Sequence, residues 1–522
     1  MEDTAGKDAA GAASGASSRV LPFAVTLLLA ALLPLFLRTA WLCDDALVTL
    51  RTVENFLDGE GLRWNPAERV QAYAHPLWLF FLSAWIWWSE EHFFTPMLVS
   101  VGVSLLAAVV LVRRVAAGAG AAVLAVVALA GSKAFVDYST SGLENPFTHL
   151  LLAAYLVALN AAAPQPAPRL GLCGGLLVLN RLDLFLLVAP SFVLHAAAAG
   201  GRGARRQLAA GVIPVAAWGL FALVYYGFPL PNAAYATLGA GLSSAQRIAQ
   251  GTDYLQSALR LDPLTPALIA AAVLVGLGRR SPCDLAVCAG ALLYLGYVWL
   301  AGGDALAGRF LSAPFLAAVA VLVRREHAAP LQAIAVVAVL ALSLASPLSP
   351  LRLDPAYGTA PAKGAPARCY KSWSIVRDER CFSFQQASLM HSVPRQELPS
   401  RHGSVASITQ SGNVVFVPDS LALGFYGLGE GRERHVIDAR GVTDPLLARQ
   451  PADPAGWPAD PLRRTLPAGY LETLAGEQVL VENPTTAACY RDLRQITRGE
   501  LFSAARWAAI WRLTRRVSCP RN

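Results

Sequence analysis

The stretch W-L-C-D-D-A-L-V-T-L-R-T-V-E-N-F, residues 41–56, places two adjacent carboxylates directly after the apolar run Val20–Ala40. A run of that length suffices for a helix to cross the hydrocarbon core of a bilayer. Asp44 and Asp45 therefore sit where a spanning helix leaves the membrane. Because a carboxylate beside hydrocarbon is costly to keep ionised, such residues usually serve a function. The pair indicates a functional site at a membrane surface, with the other segments folded around it.

The composition is typical of a polytopic α-helical membrane protein. Of the 522 residues, 55% are hydrophobic and 15% are charged, whereas a soluble domain has roughly 25% charged residues. The net charge of +8 includes arginine doublets that lie between apolar runs, which is typical of cytoplasmic loops. A nucleic-acid-binding face would instead cluster basic and aromatic residues on a soluble module. We therefore expect a lipid bilayer, and no nucleic acid, as a partner.

The apolar runs predict about eleven membrane spans. The Trp-rich segment 76–88 is not counted, because it is short and ends in acidic residues, which favours a re-entrant or interfacial helix on the outer face. With it excluded, the N-terminus and every arginine doublet are cytoplasmic, the first outer loop is 41–93, and the chain after about residue 348 lies outside. The predicted spans are 20–40, 94–112, 116–134, 146–162, 169–180, 183–199, 207–226, 263–278, 285–301, 310–323 and 330–347.

Three regions follow from this topology. Residues 1–19 are rich in Ala, Gly and Ser, which predicts a disordered cytoplasmic tail, and 20–347 form the membrane domain. Residues 348–522 change in composition and predict one soluble α/β domain outside the membrane. Two pieces of that domain resemble strands, Asn413–Pro418 and Glu477–Glu482.

The C-terminal domain holds four of the eight cysteines. An even number of cysteines outside the cytoplasm favours disulfides. Proximity in sequence favours Cys369–Cys381 and Cys489–Cys519, although four cysteines allow three pairings and buried free thiols are the alternative. No C-x-x-C or Cys/His cluster is typical of a zinc site, so no metal ligands are assigned.

Asp44 and Asp45 are the candidate catalytic residues. One could act as a general base that takes a proton from a hydroxyl, while its neighbour binds substrate or a metal. The alternative is a helix cap, for which one carboxylate is enough. The choice of base stays open, with Asp45 favoured because Asp44 is the better placed cap. Arg51 follows near one face of the same helix, as a substrate contact or as a structural partner.

Polar residues recur in the other predicted outer loops. Arg181 is a candidate phosphate ligand, because a guanidinium fork matches phosphate oxygens, and His75 could bind a phosphate or a sugar hydroxyl. Capping, turn formation or a structural Arg181–Asp183 ion pair are the alternatives. No Walker A sequence or G-x-S-x-G elbow is present, which speaks against a nucleotide-driven pump or a serine hydrolase. The remaining candidate substrate contacts are Glu144, Asn145, Asp183, Asn232, Tyr235, Asp304 and Arg309.

A series of short motifs resembles the GT-C membrane glycosyltransferases, in particular the terminal arabinofuranosyltransferases of cell-wall arabinan assembly. They occur in one order across most of the chain. The motifs are D-D-A-L-V-T-L-R-T-V-E-N-F (44–56), G-L-R-W-N-P (61–66), A-H-P-L-W (74–78), G-L-E-N-P (142–146), N-R-L-D (180–183), P-N-A-A-Y (231–235), G-G-D-A-L-A-G-R (302–309) and G-V-T-D-P-L-L-A-R (441–449).

This resemblance implies a transferase that moves a sugar, a pentofuranose such as D-arabinofuranose, from a polyprenyl-phosphate donor. The acceptor would be a glycan or glycoconjugate on the outer, periplasmic face of a bacterial inner membrane. No cofactor would be required, although the carboxylates leave room for a divalent metal, and the protein is expected to be a monomer.

The resemblance also implies residue roles. Asp44 or Asp45 would deprotonate or orient the acceptor hydroxyl. His75, Arg181 and Arg309 would offset the charge of the departing polyprenyl phosphate. The C-terminal domain, with Asp444 in its own motif, would guide the acceptor.

A transporter or flippase for a lipid-linked or polar substrate is the main alternative. It would carry charges midway along its spans and would often show internal repeats. Here the charges lie at outer boundaries, and no repeat is apparent. A membrane receptor with a disulfide-bonded ectodomain would not need boundary carboxylates in three loops. The transferase hypothesis requires that most of six residues line one outward-facing cavity that opens to lipid: Asp44, Asp45, Glu144, Arg181, Asp304 and Arg309.

Overall fold

The fold is mostly helical and contains one small sheet near its C-terminal end. The predicted tail 1–19 and Cys369 lie outside the residues that can be described. The computed structural model describes residues 23–160, 168–352, 376–391, 408–418, 422–458, 460–514 and 519.

The chain up to residue 345 forms fifteen of the helices seen in the described ranges, joined by short loops. Single 3-10 turns at Leu182–Leu184 and Arg309–Leu311 introduce two of them. The helices are α1 Phe23–Thr39, α2 Asp44–Leu57, α3 Pro76–Ser89, α4 Phe94–Arg114, α5 Ala119–Gly131, α6 Lys133–Tyr138, α7 Asn145–Asn160, α8 Pro168–Asn180, α9 Phe185–Tyr226, α10 Asn232–Leu238, α11 Ser244–Leu261, α12 Leu264–Arg279, α13 Pro282–Ala301, α14 Ser312–Val323 and α15 Ala329–Ala345.

Several helices have the length and composition of membrane spans. Within the described ranges, three helical segments are each long and apolar enough to cross a membrane: Phe94–Arg114, Leu182–Tyr226 and Pro282–Ala301. Helices α11 and α12, which are bent by 101° relative to each other, are long and apolar enough as a pair. Shorter apolar helices include α1, α5 and α15. These helices fit a membrane protein, whereas the number of spans and their orientation stay predictions.

Helix α9 consists of two helices folded against each other. Gly200 has φ 61° and ψ 169°, which breaks the helix. Atom Nδ1 of His195 lies 2.8 Å from Oε1 of Gln207, although twelve residues along one straight helix would separate them by about 18 Å. This break agrees with the separate predicted runs 183–199 and 207–226.

Helix α3 is the Trp-rich segment that was excluded from the predicted spans. Its 14 residues extend about 21 Å, which is short of the roughly 30 Å of a hydrocarbon core. Trp85, Trp87 and Trp88 are exposed, as an interfacial helix would require. Its position at the membrane surface stays a prediction.

The C-terminal part combines short helices with a three-stranded sheet. Strands β1 and β2 are antiparallel, and β2 and β3 are parallel. The prediction of a strand within Asn413–Pro418 is confirmed by β2. The elements are α16 Glu379–Ala387, β1 Thr409–Ser411, β2 Val414–Val417, α17 Leu423–Gly429, β3 His435–Asp438, α18 Tyr470–Ala475, α19 Pro484–Arg498 and α20 Ala504–Thr514.

The predicted strand Glu477–Glu482 is wrong, because this segment is a loop. The backbone N–H of Leu480 donates to the Thr473 hydroxyl at 2.7 Å, and that of Glu482 donates to the carbonyl of Ala468 at 3.2 Å. These hydrogen bonds connect the segment to α18 and to the residues just before α18. The two backbone N–H groups therefore have acceptors without a neighbouring strand.

The first outer loop and the C-terminal sheet share one hydrophobic core. Val48 and Trp64 pack with Val415, Val417 and Val436 in a single buried cluster. The sheet is therefore packed onto α2 and the loop that follows α2.

A disulfide joins Cys489 in α19 to Cys519, which confirms one of the two predicted pairings. The other involves Cys369, outside the described residues, and stays a prediction.

Candidate active site

Asp44 and Asp45 occupy the first turn of α2 but differ in environment. Asp44 is buried at 2% exposure, while the Asp45 side chain is 48% exposed. Oδ1 of Asp44 accepts the backbone N–H of Phe425 at 3.0 Å. Asp44 thus caps α17, whereas the predicted cap of its own helix is wrong, because Cys43 is the N-cap residue of α2.

The surroundings of Asp44 disfavour its ionised form. Burial raises the pKa of Asp44 well above its usual value, the nearby Glu379 raises it further, and the N–H groups of Phe425 and Gly424 oppose the shift. A carboxyl group that keeps its proton cannot accept another one. Asp45, the more exposed neighbour, is therefore the better candidate for a general base.

Arg309 connects three of the predicted outer loops. Its Nη1 lies 2.7 Å from Oδ2 of Asp45 and 3.8 Å from Oδ2 of Asp304. Its Nη2 lies 3.4 Å from Oε1 of Glu144. One guanidinium therefore holds the candidate base, the G-G-D loop and the G-L-E-N-P loop together.

Glu144 is the central carboxylate of this set. Oε2 lies 3.4 Å from Nδ1 of His75, and Oε1 lies 3.4 Å from Nη1 of Arg181. Burial by itself would raise the pKa of Glu144, but Arg309, His75 and Arg181 lower it to about 2. Glu144 is therefore negatively charged under physiological conditions and balances the arginines around it.

Arg181 and His75 complete the arrangement. Arg181 forms a two-point ion pair with Asp183, at 3.1 and 2.5 Å, and its guanidinium lies 4.8 Å from the centre of the Phe310 ring. The other nitrogen of His75, Nε2, lies 2.8 Å from the Thr49 hydroxyl. Burial lowers the pKa of His75, so its neutral form is favoured.

Seven predicted residues from separate loops thus form one connected set, which we call the boundary network. Each member contacts at least one other member within 4 Å. Such convergence of residues far apart in sequence is typical of a functional site. The members are Asp45, His75, Glu144, Arg181, Asp183, Asp304 and Arg309.

A cavity of about 270 Å³ adjoins the boundary network at Asp304 and Arg309. Of the six residues that the transferase hypothesis requires along one cavity, these two line it, so this cavity does not meet the requirement. Arg247, Arg377 and Arg440 also line it, so this cavity has an excess of positive charge, which attracts anions. Sequence reasoning missed these three arginines. Arg440 directly precedes the G-V-T-D-P motif, which was the one available signal.

Two predicted substrate contacts instead have structural positions. Arg51 is 1% exposed, and its guanidinium donates to the carbonyls of Trp64 at 3.1 Å, Arg434 at 2.6 Å, and Gly427. The amide of Asn145 donates to the Ser312 hydroxyl at 3.1 Å. Both side chains link separate segments, which favours a structural role, and their expected contact with substrate stays a prediction.

Asn232, Tyr235 and Asp444 also lie apart from the boundary network. The amide of Asn232 donates to the carbonyls of Gly441 at 2.8 Å and Asp444 at 3.0 Å. The Tyr235 ring lies 4.4 Å from the Arg449 guanidinium. These contacts stabilise a turn against α10, so direct contact with substrate is not supported.

Asp444 itself is fully buried. It accepts the N–H groups of Leu446 and Leu447 at 2.9 and 2.7 Å and the Tyr470 hydroxyl at 2.7 Å. Burial raises its pKa to about 7.

A further ionic cluster, which sequence reasoning missed, holds α16 against α6. Lys133 pairs with Asp137 and, at 3.1 Å, with Asp378, while Arg380 also pairs with Asp137. The four-residue spacing of Lys133 and Asp137 on one helix was the available signal. Next in α16, Glu379 accepts the backbone N–H of Asp44 at 2.8 Å, so α16 positions the start of α2.

Across the described ranges, no group of three or more His, Cys, Asp and Glu side chains could hold a metal ion. We therefore assign no residues to a metal.

Helices of membrane-span composition fit a membrane protein, and the boundary network is its candidate functional site. The chain is similar to a terminal β-(1→2)-arabinofuranosyltransferase of Mycobacterium tuberculosis, with 31% identity over 227 residues. The match covers 38% of this chain and 35% of that protein, so it spans about a third of the relative's length. This similarity confirms the resemblance seen in the motifs and supports a glycosyltransferase. No family model and no solved structure match the chain.

Proposed function

We propose that this protein is a membrane glycosyltransferase that moves a pentofuranose, such as D-arabinofuranose, from a polyprenyl-phosphate donor to a glycan acceptor outside the cytoplasm. The observation that carries the proposal is the contact between Asp45 and Arg309. It sets an accessible carboxylate 2.7 Å from a guanidinium that lines the cationic cavity. A base for the acceptor and a ligand for the donor phosphate are thereby adjacent.

The chemistry follows from these two positions. Asp45 takes the proton of the acceptor hydroxyl as its oxygen forms a bond to the anomeric carbon of the donor sugar. The bond between that carbon and the phosphate oxygen breaks, and the electron pair leaves with polyprenyl phosphate. Arg309 and Arg181 stabilise the developing negative charge. Glu144 keeps both guanidinium groups in place.

The cavity supports an anionic donor. Four arginines line it against the carboxylates of Asp304 and Asp460, and Arg440 pairs with Asp460 at 2.9 Å. An arginine fork matches phosphate oxygens, so a cavity lined by four arginines and two aspartates suits a sugar phosphate better than a neutral solute.

A transfer assay with purified protein in lipid nanodiscs tests this function. The donors are synthetic polyprenyl-phosphoryl arabinofuranose, the corresponding ribofuranose and a nucleotide sugar, each with an arabinofuranosyl oligosaccharide as acceptor. We expect a lengthened oligosaccharide from the arabinofuranosyl lipid alone, with the new linkage read by methylation analysis. Failure of every lipid-linked donor to give product would overturn the proposal, and movement of the intact donor across vesicles would favour a flippase.

A further inference from the structure

A group of basic residues lies where α12 ends and where the chain passes from α14 to α15. We propose that this group, which we call the basic cluster, binds the headgroup phosphate of an anionic phospholipid. The inference does not depend on the proposed reaction and assigns a second site to the protein. The members of the basic cluster are Arg279, Arg280, Arg324, Arg325 and His327.

Side-chain contacts join the two segments of the basic cluster. Nη1 of Arg279 donates to the carbonyl of Val321 at 2.7 Å, and its Nη2 donates to Nε2 of His327 at 2.6 Å. Nη1 of Arg324 lies 2.9 Å from Oδ1 of Asp284, which is fully buried. One guanidinium of each segment is therefore held in place before a ligand binds, which lowers the entropy lost on binding.

The contact with Arg279 also sets the tautomer of His327. A guanidinium has no acceptor, so Nε2 of His327 accepts this hydrogen bond and Nδ1 carries the proton of the neutral ring. His327 is partly exposed, and its Nδ1–H can donate to a phosphate oxygen. The basic cluster thus combines a neutral donor with its arginines.

The carboxylates nearby do not balance the charge of the basic cluster. Segments 279–284 and 324–327 contain four arginines but two carboxylates, those of Asp284 and Glu326. Arg280 and Arg325 are exposed, and neither has an ion-pair partner in the part of the chain that the structure describes. An anionic headgroup would supply the missing negative charge, whereas the ammonium group of a zwitterionic lipid would be repelled.

Arg280 occupies a backbone position that usually belongs to glycine. It ends α12 with φ 51°, in the left-handed region where glycine is the common residue after a helix. A residue kept in such a conformation despite its steric cost favours a role for the side chain.

Exposed apolar side chains continue from the basic cluster along two helices. Leu274 and Leu277 are exposed on α12, and Leu331 and Ile334 are exposed on α15. A spacing of three residues places each pair on one face of its helix, and α12 contacts α15. Acyl chains can lie along these side chains while the phosphate contacts the arginines, so the surface fits a lipid better than a free phosphate ion.

The basic cluster and the boundary network lie at opposite ends of α13. This helix begins at Pro282, two residues after Arg280, and ends at Ala301, three residues before Asp304. Its 20 residues extend about 30 Å, which equals the thickness of a typical hydrocarbon core. With the boundary network at one membrane surface, the basic cluster lies among the headgroups of the other.

Native mass spectrometry of the full chain in detergent tests this inference. Phosphatidylglycerol and phosphatidylcholine with identical acyl chains are titrated separately, and the Kd of the first bound lipid is measured. We expect phosphatidylglycerol to bind about tenfold more tightly. The double variant Arg280→Gly/Arg325→Ala should weaken its binding about tenfold and leave phosphatidylcholine unchanged, because each arginine at an anionic surface adds to affinity. Glycine suits the left-handed position, so we expect this variant to fold.

The matched control is Arg205→Ala/Arg206→Ala. It removes another exposed arginine doublet, on the same predicted side of the membrane, and should keep the affinity for phosphatidylglycerol. An equal loss in this control would overturn the inference, because it would show that the doublets act only as general positive charge. Equal binding of the two lipids, or unchanged binding in the double variant, would overturn it as well.

Inorganic phosphate distinguishes a lipid site from a site for a free anion. We expect an excess of inorganic phosphate to leave phosphatidylglycerol bound at matched ionic strength, because it has no acyl chains to contact α12 and α15. Displacement of the lipid by inorganic phosphate would assign the basic cluster to a soluble anion and overturn the inference.

Discussion

Glu144 balances the positive charges of the boundary network. It is 1% exposed and lies within 3.4 Å of Arg181, Arg309 and His75. Removal of one partner from a buried ion pair costs more than the pair contributes, because the other charge stays desolvated. The network should therefore be more sensitive to the loss of this carboxylate than to the loss of an exposed one.

We expect Glu144→Gln to lower the free energy of unfolding by on the order of 3 kcal/mol and to lower sugar transfer strongly. Chemical denaturation in detergent and the transfer assay measure the two effects. Glu477→Gln, in an exposed loop, is the matched control and should alter neither. If the Glu144→Gln protein is as stable and as active as the unaltered one, the Glu144 carboxylate does not balance the positive charges of the boundary network.

Asp444 predicts a pH dependence of stability. Its pKa is raised from 3.8 to about 7 in the folded protein. As the pH rises through this interval, the unfolded chain loses its proton first, so the free energy of unfolding decreases. Asp444→Asn removes this contribution. We expect its thermal midpoint to fall less between pH 4.5 and pH 7.5 than that of the unaltered protein, and equal decreases would contradict the assignment.

The sequence located the boundary residues better than it assigned their roles. Asp45 and Arg309 were found because apolar runs end beside them. The burial of Asp44 could not be read from the sequence, because Phe425 and Glu379 are more than 300 residues away along the chain. The sequence could not decide between the two roles of Arg51 for the same reason, since two of its acceptor carbonyls lie in the C-terminal part.

At the scale of elements, close packing of α8 depends on glycine. A Cβ added at Gly171 would lie 2.0 Å from the carbonyl oxygen of Gln207, and one at Gly175 would lie 2.2 Å from that of Gly211. Backbone atoms cannot move aside as a flexible side chain can. The second half of α9 can therefore approach α8 only because these positions lack a side chain.

We expect Gly171→Ala to lower the free energy of unfolding by about 1–3 kcal/mol, the usual cost of overpacking. Gly219→Ala, where an added Cβ meets nothing within 4 Å, should be neutral or slightly stabilising because alanine favours helix. Thermal midpoints of the two variants in one detergent give the comparison. Equal midpoints would contradict the close approach of α8 and α9.

Element prediction succeeded where the pattern was local. Glycine and arginine residues between two apolar runs predict the break at Gly200, and the valine-rich sequence predicts the strand Val414–Val417. The segment Glu477–Glu482 contains a short apolar run, Val479–Val481, as a strand would, but forms a loop. Strand formation depends on a neighbouring strand to pair with, and a short sequence does not contain that information.

At the scale of the whole molecule, the orientation in the membrane stays a prediction that rests on the arginine doublets. The cavity beside Arg309 adjoins loops that this orientation places outside. We expect alkaline phosphatase fused after Arg352 to be active and the same enzyme fused after Arg206 to be inactive, because it folds only outside the cytoplasm. The reverse pattern would invert the topology and place the boundary network in the cytoplasm.

The contact between the first outer loop and the C-terminal sheet could not be predicted from the sequence. The motifs on both sides were visible, but the shared core of Val48, Trp64 and Val436 joins segments more than 350 residues apart. This contact packs two separately predicted domains against each other.

Comparison of Asp45→Asn with Asp44→Asn in the transfer assay tests the central claim most directly. Loss of the general base should lower transfer by about 10²–10⁴-fold in Asp45→Asn. Asp44→Asn should keep most of the activity, because asparagine resembles the protonated carboxyl and can still accept the N–H of Phe425. Near-normal transfer by Asp45→Asn, or its loss in Asp44→Asn alone, would contradict the assignment of Asp45 as the base.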